Sequence, residues 1–475
     1  MFDVAIIGGG AVGTSIAREL SRYKLLVVVL EKEEEPAFGV SKSNSGIIHP
    51  GTQNPPGLLK SRLCVEGNRL TRVIAQELGV DFKEVGELIV AFTEEEIFRL
   101  HRLLEDARAL RVPGVRMVDQ VWLRGHEPHL SPRVKAALFA PTAGIISPYR
   151  LVYDLAENAL RNGVQIHTDS RVTAIENTRP HFIVHTSKGP FKAKYVVNAA
   201  GLYADGICRM LGITDVAIKP VKGEEFILDK KRAYLTNHLI FPLPSQSTKG
   251  ILVIKTADGN PMVGPTATEA ESKEDLSTSQ EGLEKVFSAV KRMVPEINEK
   301  DIIAYFAGLR PKAGEDFIIR SEQAAHGCIT VAGIQSPGLT AAPAIARMVT
   351  RLLRQQGLGL RRKILFHGHR KRSVHLFAVK PAETQKLIEQ DPGYGDIVCR
   401  CEMVSAKEIR DAILRGATTL DGIKFRTRCQ AGRCHGSFCT TRVMKMLAGE
   451  RGIPVTAVTK RGKGSEVVKH DRADD

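Results

Sequence analysis

No apolar run in this chain approaches the ~20 residues needed to span a bilayer. The opening MFDVAIIGGG runs straight into a strand pattern, where a signal peptide would need a basic start, a longer apolar region and a small-residue cleavage site. Helix-turn-helix, RNP-type and zinc-finger patterns are absent, so the net charge of +15 does not imply nucleic acid as a partner. The cysteines are not spread as a disulfide framework would spread them. Five of the eight fall near the C-terminus, at 399, 401, 429, 434 and 439. The expectation is a cytoplasmic protein whose thiols stay reduced. There, clustered cysteines point to metal or redox chemistry.

At 475 residues the chain has room for two or three domains with ample core. Its 43% hydrophobic and 25% charged residues are those of an ordinary globular protein. Positive charge concentrates in LRRKILFHGHRKRSVHL, residues 360–376. That stretch reads as a solvated basic surface, an attractor of anionic substrate, or a docking surface for an acidic membrane face.

The N-terminal segment DVAIIGGGAVGTSIARELSR contains Gly8-x-Gly10-x-x-Gly13 between an apolar strand and a helix with an apolar face. Gly8 permits the tight turn, Gly10 lets the backbone approach a pyrophosphate, and Gly13 lets helix and strand pack closely. The helix N-terminus offers free N–H groups to phosphates. A second strand, LLVVVLEK, ends at Glu31, placed to bond ribose hydroxyls. This strand–turn–helix–strand–acid context is that of a bound dinucleotide, and does not separate FAD from NAD.

Later segments make that separation. They are SKSNSGIIHPGTQNPPGLLKSRLCVEGN (41–68), DSRVTAIE (169–176), AKYVVNAAGLYADGI (193–207) and GCITVAGIQSPGLTAAPAIARMVTRLL (327–353). A nucleotide domain revisited this often is interrupted by a second domain. Together with FAGLRP, these motifs resemble the FAD-dependent oxidoreductases of the D-amino-acid oxidase superfamily. The branch they look most like is that of the glycerol-3-phosphate and L-2-hydroxyglutarate dehydrogenases. The resemblance covers roughly residues 1–355. It implies an α/β fold, with a Rossmann-type FAD-binding domain (about 1–85, 145–210 and 305–360) interleaved with a mixed-sheet substrate domain (about 86–144 and 211–304). It also implies that Ser43, Asn44 and Ser45 approach the pyrophosphate and flavin. Val172 then contacts the adenine and Gly201 the adenosine diphosphate. Gly338, Leu339 and Thr340 form a helix N-terminus facing the flavin pyrimidine.

The reaction needs a proton acceptor and cations for an acidic substrate. His49 in GIIHPG is the candidate base, flavin neighbour or covalent flavin attachment point. Arg310 in YFAGLRPK matches an arginine that faces the active site in relatives, and its planar fork suits phosphate or carboxylate. Lys222 and Lys255, near strand ends, are weaker candidates beside the reading of solvated lysines.

After Pro381 the chain reads GYGDIVCRCEMVSAKEIRDAILRGATTLDGIKFRTRCQAGRCHGSFCTTRVMKML. Thiolates suit iron–sulfur clusters. Zinc sites favour pairs of the C-x₂₋₄-C kind, which Cys399-x-Cys401 fits less well, and free thiols are the third reading. The pattern resembles the bacterioferredoxin-associated ferredoxin module, a small helical [2Fe–2S] domain over residues 395–447. That resemblance favours Cys399, Cys401, Cys434 and Cys439 as ligands, with Cys429 an extra thiol. A basic linker (361–394) would precede the module and a mobile charged tail (448–475) would follow it.

The expected activity is oxidation of a small anionic secondary alcohol by hydride transfer to FAD. Electrons would leave through the cluster to an acceptor other than oxygen. Glycerol 3-phosphate is the first substrate, L-2-hydroxyglutarate the alternative, and an amino acid the third. A second redox subunit, flavoprotein or quinone-linked, is the implied partner, with peripheral contact at the inner membrane face. The reading from another class is an electron-transfer or redox-sensing subunit that meets no small substrate.

Overall fold

Five strands lie parallel in the order 165–167, 27–30, 2–7, 189–198 and 328–332 in the computed structural model, which describes residues 1–245 and 249–468. The strands Phe2–Ile7 and Val27–Leu30 are near-continuous apolar runs because both faces of this parallel sheet are covered: on one face Ala5, Ile7, Val28 and Leu30 meet Ile175, Phe182 and Val184 of the adjoining strands and Ile207. Helices Ala11–Leu20 and Gly338–Gln355 pack on the other face, with Val4, Ile6, Ile16, Leu20, Val331, Ile345 and Val349 in a single core. This is the Rossmann-type half.

The substrate half is a nine-stranded mixed sheet with a core of its own. Its longest pairing joins Lys219–Leu228 antiparallel to Ile302–Lys312, from Lys219↔Lys312 to Leu228↔Ile302. The second strand belongs to this sheet throughout, although the sequence divides it between the halves. A three-stranded sheet of residues 47–48, 144–146 and 82–84 bridges the two.

The C-terminal domain is small and mostly helical. Helix Ala406–Leu414 opens with a capping box between Ser405 and Glu408. Helices Leu420–Thr427 and Thr440–Arg451 pack on it through Ile409, Ile423, Val443 and Leu447. The stretch 420–427 has only weak apolar periodicity, and tertiary contacts hold it as a helix. The segment before this domain is pinned rather than loose. Arg370 pairs with Asp154 at 3.0 Å and Glu157 at 2.7 Å, and Phe366 lies 4.5 Å beneath the Arg22 guanidinium. Part of the basic charge read as a docking surface, that of Arg370 and of Arg372 paired with Asp81, is therefore neutralised within the molecule. Ile364 and Leu365 nonetheless protrude from it, 98% and 70% exposed. Among the described residues no helix is long and apolar enough to cross a membrane.

The C-terminal domain docks on both halves through buried ion pairs. Glu35, 1% exposed, accepts from the Thr418 backbone at 3.0 Å and the Thr419 hydroxyl at 3.0 Å, and pairs with Arg426. Asp258 is gripped by Arg150 and lies 3.5 Å from Arg428, which also donates to Asn260 at 3.0 Å. Burial alone would raise the Asp258 carboxyl, but the two arginines outweigh it and hold it well below the usual carboxylate range.

A depressed carboxyl contributes stability that is present above its unfolded pKa and lost as pH falls through the folded one. Asp258→Asn leaves two buried guanidinium groups facing a neutral amide. We expect it to destabilise the domain docking by about 3–5 kcal/mol at neutral pH. Thermal unfolding and limited proteolysis read this, and an unchanged profile in both would refute it.

Candidate functional site

The turn after Phe2–Ile7 begins at Gly8, whose φ of +109° is open to glycine. A Cβ there would sit 2.5 Å from the Ala199 carbonyl, and one at Gly13 would sit 1.9 Å from the Gly8 carbonyl. The first contact explains how the turn nests against the end of Gly189–Asn198; the second explains the close helix–strand packing. Gly10 caps the helix. Glu31, at the end of the second strand, accepts from the Gly9 N–H at 2.6 Å and the Glu33 N–H at 2.9 Å. Burial raises its carboxyl and these two donors partly offset that.

These groups line one end of a cavity of about 1500 Å³. Glu31, Ser43, Asn44, Ser45, Val172, Gly201, Gly338 and Leu339 all contribute to its wall. Its length, the glycine turn and the helix N-terminus fit an extended dinucleotide such as FAD. Two placements depart from the sequence reading. Thr340 is fully buried behind the wall, where its hydroxyl accepts from the His49 N–H at 2.9 Å and approaches the Ile47 carbonyl at 3.3 Å. It fastens the His49 loop to the helix rather than facing the cavity. Arg461, Gly462 and Lys463, read as part of a mobile tail, line the cavity at the Glu33–Glu34 loop.

The other end of the cavity holds the reactive side chains. His49, 8% exposed, has Nε2 3.4 Å from the Ser336 hydroxyl on the wall. Its Nδ1 faces the buried Glu87 carboxylate at 3.8 Å. Burial, then the charge of Lys249, push the imidazole down to about 4, and Glu87 offsets this only in part. Glu87 itself accepts from the Thr52 hydroxyl at 2.5 Å and the Gln53 amide at 3.1 Å. Burial would raise it, but His49, Thr52 and Lys249 together hold it below its ordinary value. Arg310 lines this end with its guanidinium 3.4 Å from the Thr266 carbonyl. Burial lowers its pKa, and Glu225 opposes that.

Lys249 and Glu225 were missed by sequence reasoning. The Lys249 ammonium is buried at the cavity with no hydrogen-bond partner among the described residues, and burial lowers its pKa. In the sequence it is one lysine in a Ser/Thr/Gly-rich loop, with no signal separating it from a solvated one. The two lysines chosen from sequence do not reach the cavity wall. Lys222 is drawn to Asp275 at 2.8 Å and Ser277 at 3.1 Å. Lys255 is half-buried at its strand end, under the influence of Glu127 and Lys83.

All five C-terminal cysteines are free thiols gathered in one place. The sulfurs of Cys399, Cys429 and Cys439 lie within 4.8 Å of one another, and Cys401 and Cys434 are 3.5 Å apart. Two sulfurs on one tetrahedral metal with bonds of ~2.3 Å stand ~3.8 Å apart. Cys401/Cys434 at 3.5 Å and Cys429/Cys439 at 3.9 Å both approach that separation, and Cys399 stands within 4.8 Å of the latter two, a thiol set suited to iron–sulfur ligation. Cys401 is exposed and Cys434 partly so, whereas Cys429 is fully buried.

Residues 3–352 match the family model described as FAD dependent oxidoreductase, and residues 397–449 match the BFD-like [2Fe-2S] binding domain. The chain is 40% identical to a glycerol 3-phosphate dehydrogenase of Caloramator mitchellensis over 98% of both chains. It is 31% identical to an L-2-hydroxyglutarate dehydrogenase of Indibacter alkaliphilus, over 73% of this chain and 98% of that one. Among solved structures, the dithionite-reduced, FAD-bound L-alpha-glycerophosphate oxidase of Mycoplasma pneumoniae superposes with a TM-score of 0.73 at 32% identity. That match covers 78% of this chain and 98% of the other.

A histidine held neutral by burial keeps its acceptor function into acid. We expect the acid limb of kcat/KM near pH 4 rather than at the ordinary 6.5. A limb at the ordinary value would separate His49 from the proton acceptor.

Proposed function

For a chain that belongs to the FAD-dependent oxidoreductase family and carries a BFD-like [2Fe-2S] binding domain, we propose oxidation of a small anionic secondary alcohol. The first choice is glycerol 3-phosphate, giving dihydroxyacetone phosphate. L-2-hydroxyglutarate is the second reading, because a carboxylate fits the same cations and a relative of that activity aligns over 73% of the chain. One observation carries the proposal: two buried cationic side chains, Arg310 and Lys249, reach the cavity where a neutral His49 also stands.

Bound FAD supplies a two-electron acceptor at this end, and a [2Fe–2S] cluster supplies a one-electron carrier. The protein does the rest. Arg310 and Lys249 hold the substrate's phosphate and orient its carbinol carbon. His49 accepts the hydroxyl proton at Nε2, its cavity-side nitrogen. The Glu87 carboxylate beside Nδ1 then balances the imidazolium charge. Buried walls of Ile47, Leu252 and Leu339 keep water from the reacting carbon.

Cys399, Cys401, Cys434 and Cys439 would hold the cluster, with Cys429 behind them, and the cluster would supply a one-electron exit through the C-terminal domain. The exposed Cys401–Cys434 side faces the acceptor, whether a second redox subunit or a carrier at a membrane face.

Anaerobic titration tests the substrate. Glycerol 3-phosphate is expected to bleach the flavin absorbance. Arg310→Ala should raise the required concentration about 10- to 100-fold, the worth of a hydrogen bond to a charged group. Bleaching by hydroxyglutarate alone selects the second reading, and bleaching by neither substrate favours an electron carrier. Iron analysis tests the exit: Cys434→Ser should lose the cluster and Cys429→Ser keep full iron content. The reverse pattern would exchange those two residues in the ligand set.

A further inference from the structure

Glu225 is out of place in a pocket built for an anion. Along the strand Lys219–Leu228 side chains alternate between faces. Glu224 is held by the Ser279 backbone at 2.5 Å and hydroxyl at 3.1 Å. Glu225 instead lines the cavity, 4% exposed, and its Oε2 has no hydrogen-bond partner among the described residues. Arg310, from the paired strand Ile302–Lys312, is the charge that acts on it. The turn at Gly264–Pro265, which a Cβ at Gly264 would press to 3.2 Å from the Glu225 Cγ, brings no charge against it.

We propose that Glu225 is a specificity-determining residue. Its protonated carboxyl donates a hydrogen bond to the substrate's anionic oxygens beside Arg310, and the pocket accepts an anion only while that proton is present. The inference rests on the reading of this cavity as an anionic-substrate site. A buried carboxylate without a partner is costly, so the group keeps its proton. Burial pushes it up to about 8, with Arg310 opposing. Ionised, it would stand as a like charge against a phosphate or carboxylate.

The other titratable or charged groups at this end are Arg310, Lys249, His49 and the Glu87 carboxylate behind His49, with Lys60 also on the wall; Glu87, held below its ordinary value, stays ionised across the range in both proteins. Arg310 keeps its charge throughout the range of interest. His49, lowered to about 4, is neutral across it. Lys249, also lowered, loses charge as pH rises and weakens anion binding as well. Its contribution is common to the wild type and to a variant at Glu225, so the comparison isolates the carboxyl.

The test uses the FAD-loaded full chain and sulfate, which remains a dianion from neutral pH upward. Sulfate binding is read from the perturbation of the flavin absorbance in the wild type and in Glu225→Gln. The wild-type Kd should rise by up to tenfold per pH unit above about 8. Relative to Glu225→Gln, whose amide stays neutral, the extra loss should reach about 30-fold some 1.5 units above that point. The second readout is a rise in substrate KM over the same range, steeper in the wild type than in Glu225→Gln by the same factor, with kcat unchanged. Parallel pH dependence in the two proteins, or no sulfate perturbation of the wild type at any pH, overturns the proposal. If glycerol 3-phosphate fails to bleach the flavin while the sulfate pattern holds, the substrate reading falls and Glu225 keeps its role.

Discussion

Two buried carboxylates on one short loop hold the two cofactor sites in a fixed relation. Glu31 receives the Gly9 N–H from the dinucleotide turn, and Glu35 receives Thr418, Thr419 and Arg426 from the C-terminal domain. Buried carboxyl oxygens at this depth are costly without such donors. The loop that shapes the nucleotide end is therefore also the anchor of the cluster domain. Phe38, on the same loop, packs against Phe425 at 5.8 Å, so the join is apolar as well as ionic.

At the reacting end the same residue type is driven to opposite charge states by its partners. Glu87 and Glu225 are both almost fully buried. Glu87 has a hydroxyl and an amide donating to it and two cationic or ionisable groups nearby, which keep it an anion. Glu225 has an unpaired oxygen and only Arg310 to favour ionisation, so it keeps its proton. This division of acids by environment lets a cavity with several carboxyl groups still present net positive charge to a substrate. His49 fits the pattern, since burial and Lys249 withhold the proton it must later accept.

Features set by local geometry were legible in the sequence. The Gly8-x-Gly10-x-x-Gly13 turn, the strand ending at Glu31 and the helix starting at Gly338 all rest on short-range rules of turns and periodicity. His49 and Arg310 were legible because each sits inside a longer motif. Lys249 and Glu225 were not, because nothing within a few residues distinguishes them. Their chemistry arises where the strand 219–228, the strand 302–312 and the segment at Lys249 converge. The same reason accounts for Lys222, whose partner Asp275 lies 53 residues away. It also accounts for Thr340, which sequence spacing places at the helix N-terminus but which the His49 backbone claims from behind. Helix Leu420–Thr427 was hidden because contacts to Glu35 and Phe38, not its own periodicity, order it.

The C-terminal segment sharpens what the cysteines mean for the molecule. Thr459 and Glu466 form a bridge, and the turn between them places Arg461, Gly462 and Lys463 on the wall of the nucleotide end of the cavity. That wall belongs to the same domain core as Cys399, Cys429 and Cys439, with Val458 packed into it. The cluster domain is thus a structural part of the flavin site, and not a module tethered by a flexible linker. A thiol set that folds this core around a metal also fixes the position of the residues closing the dinucleotide cavity. The residues that would hold the cluster and those that close the nucleotide end of the cavity thus share one packed core.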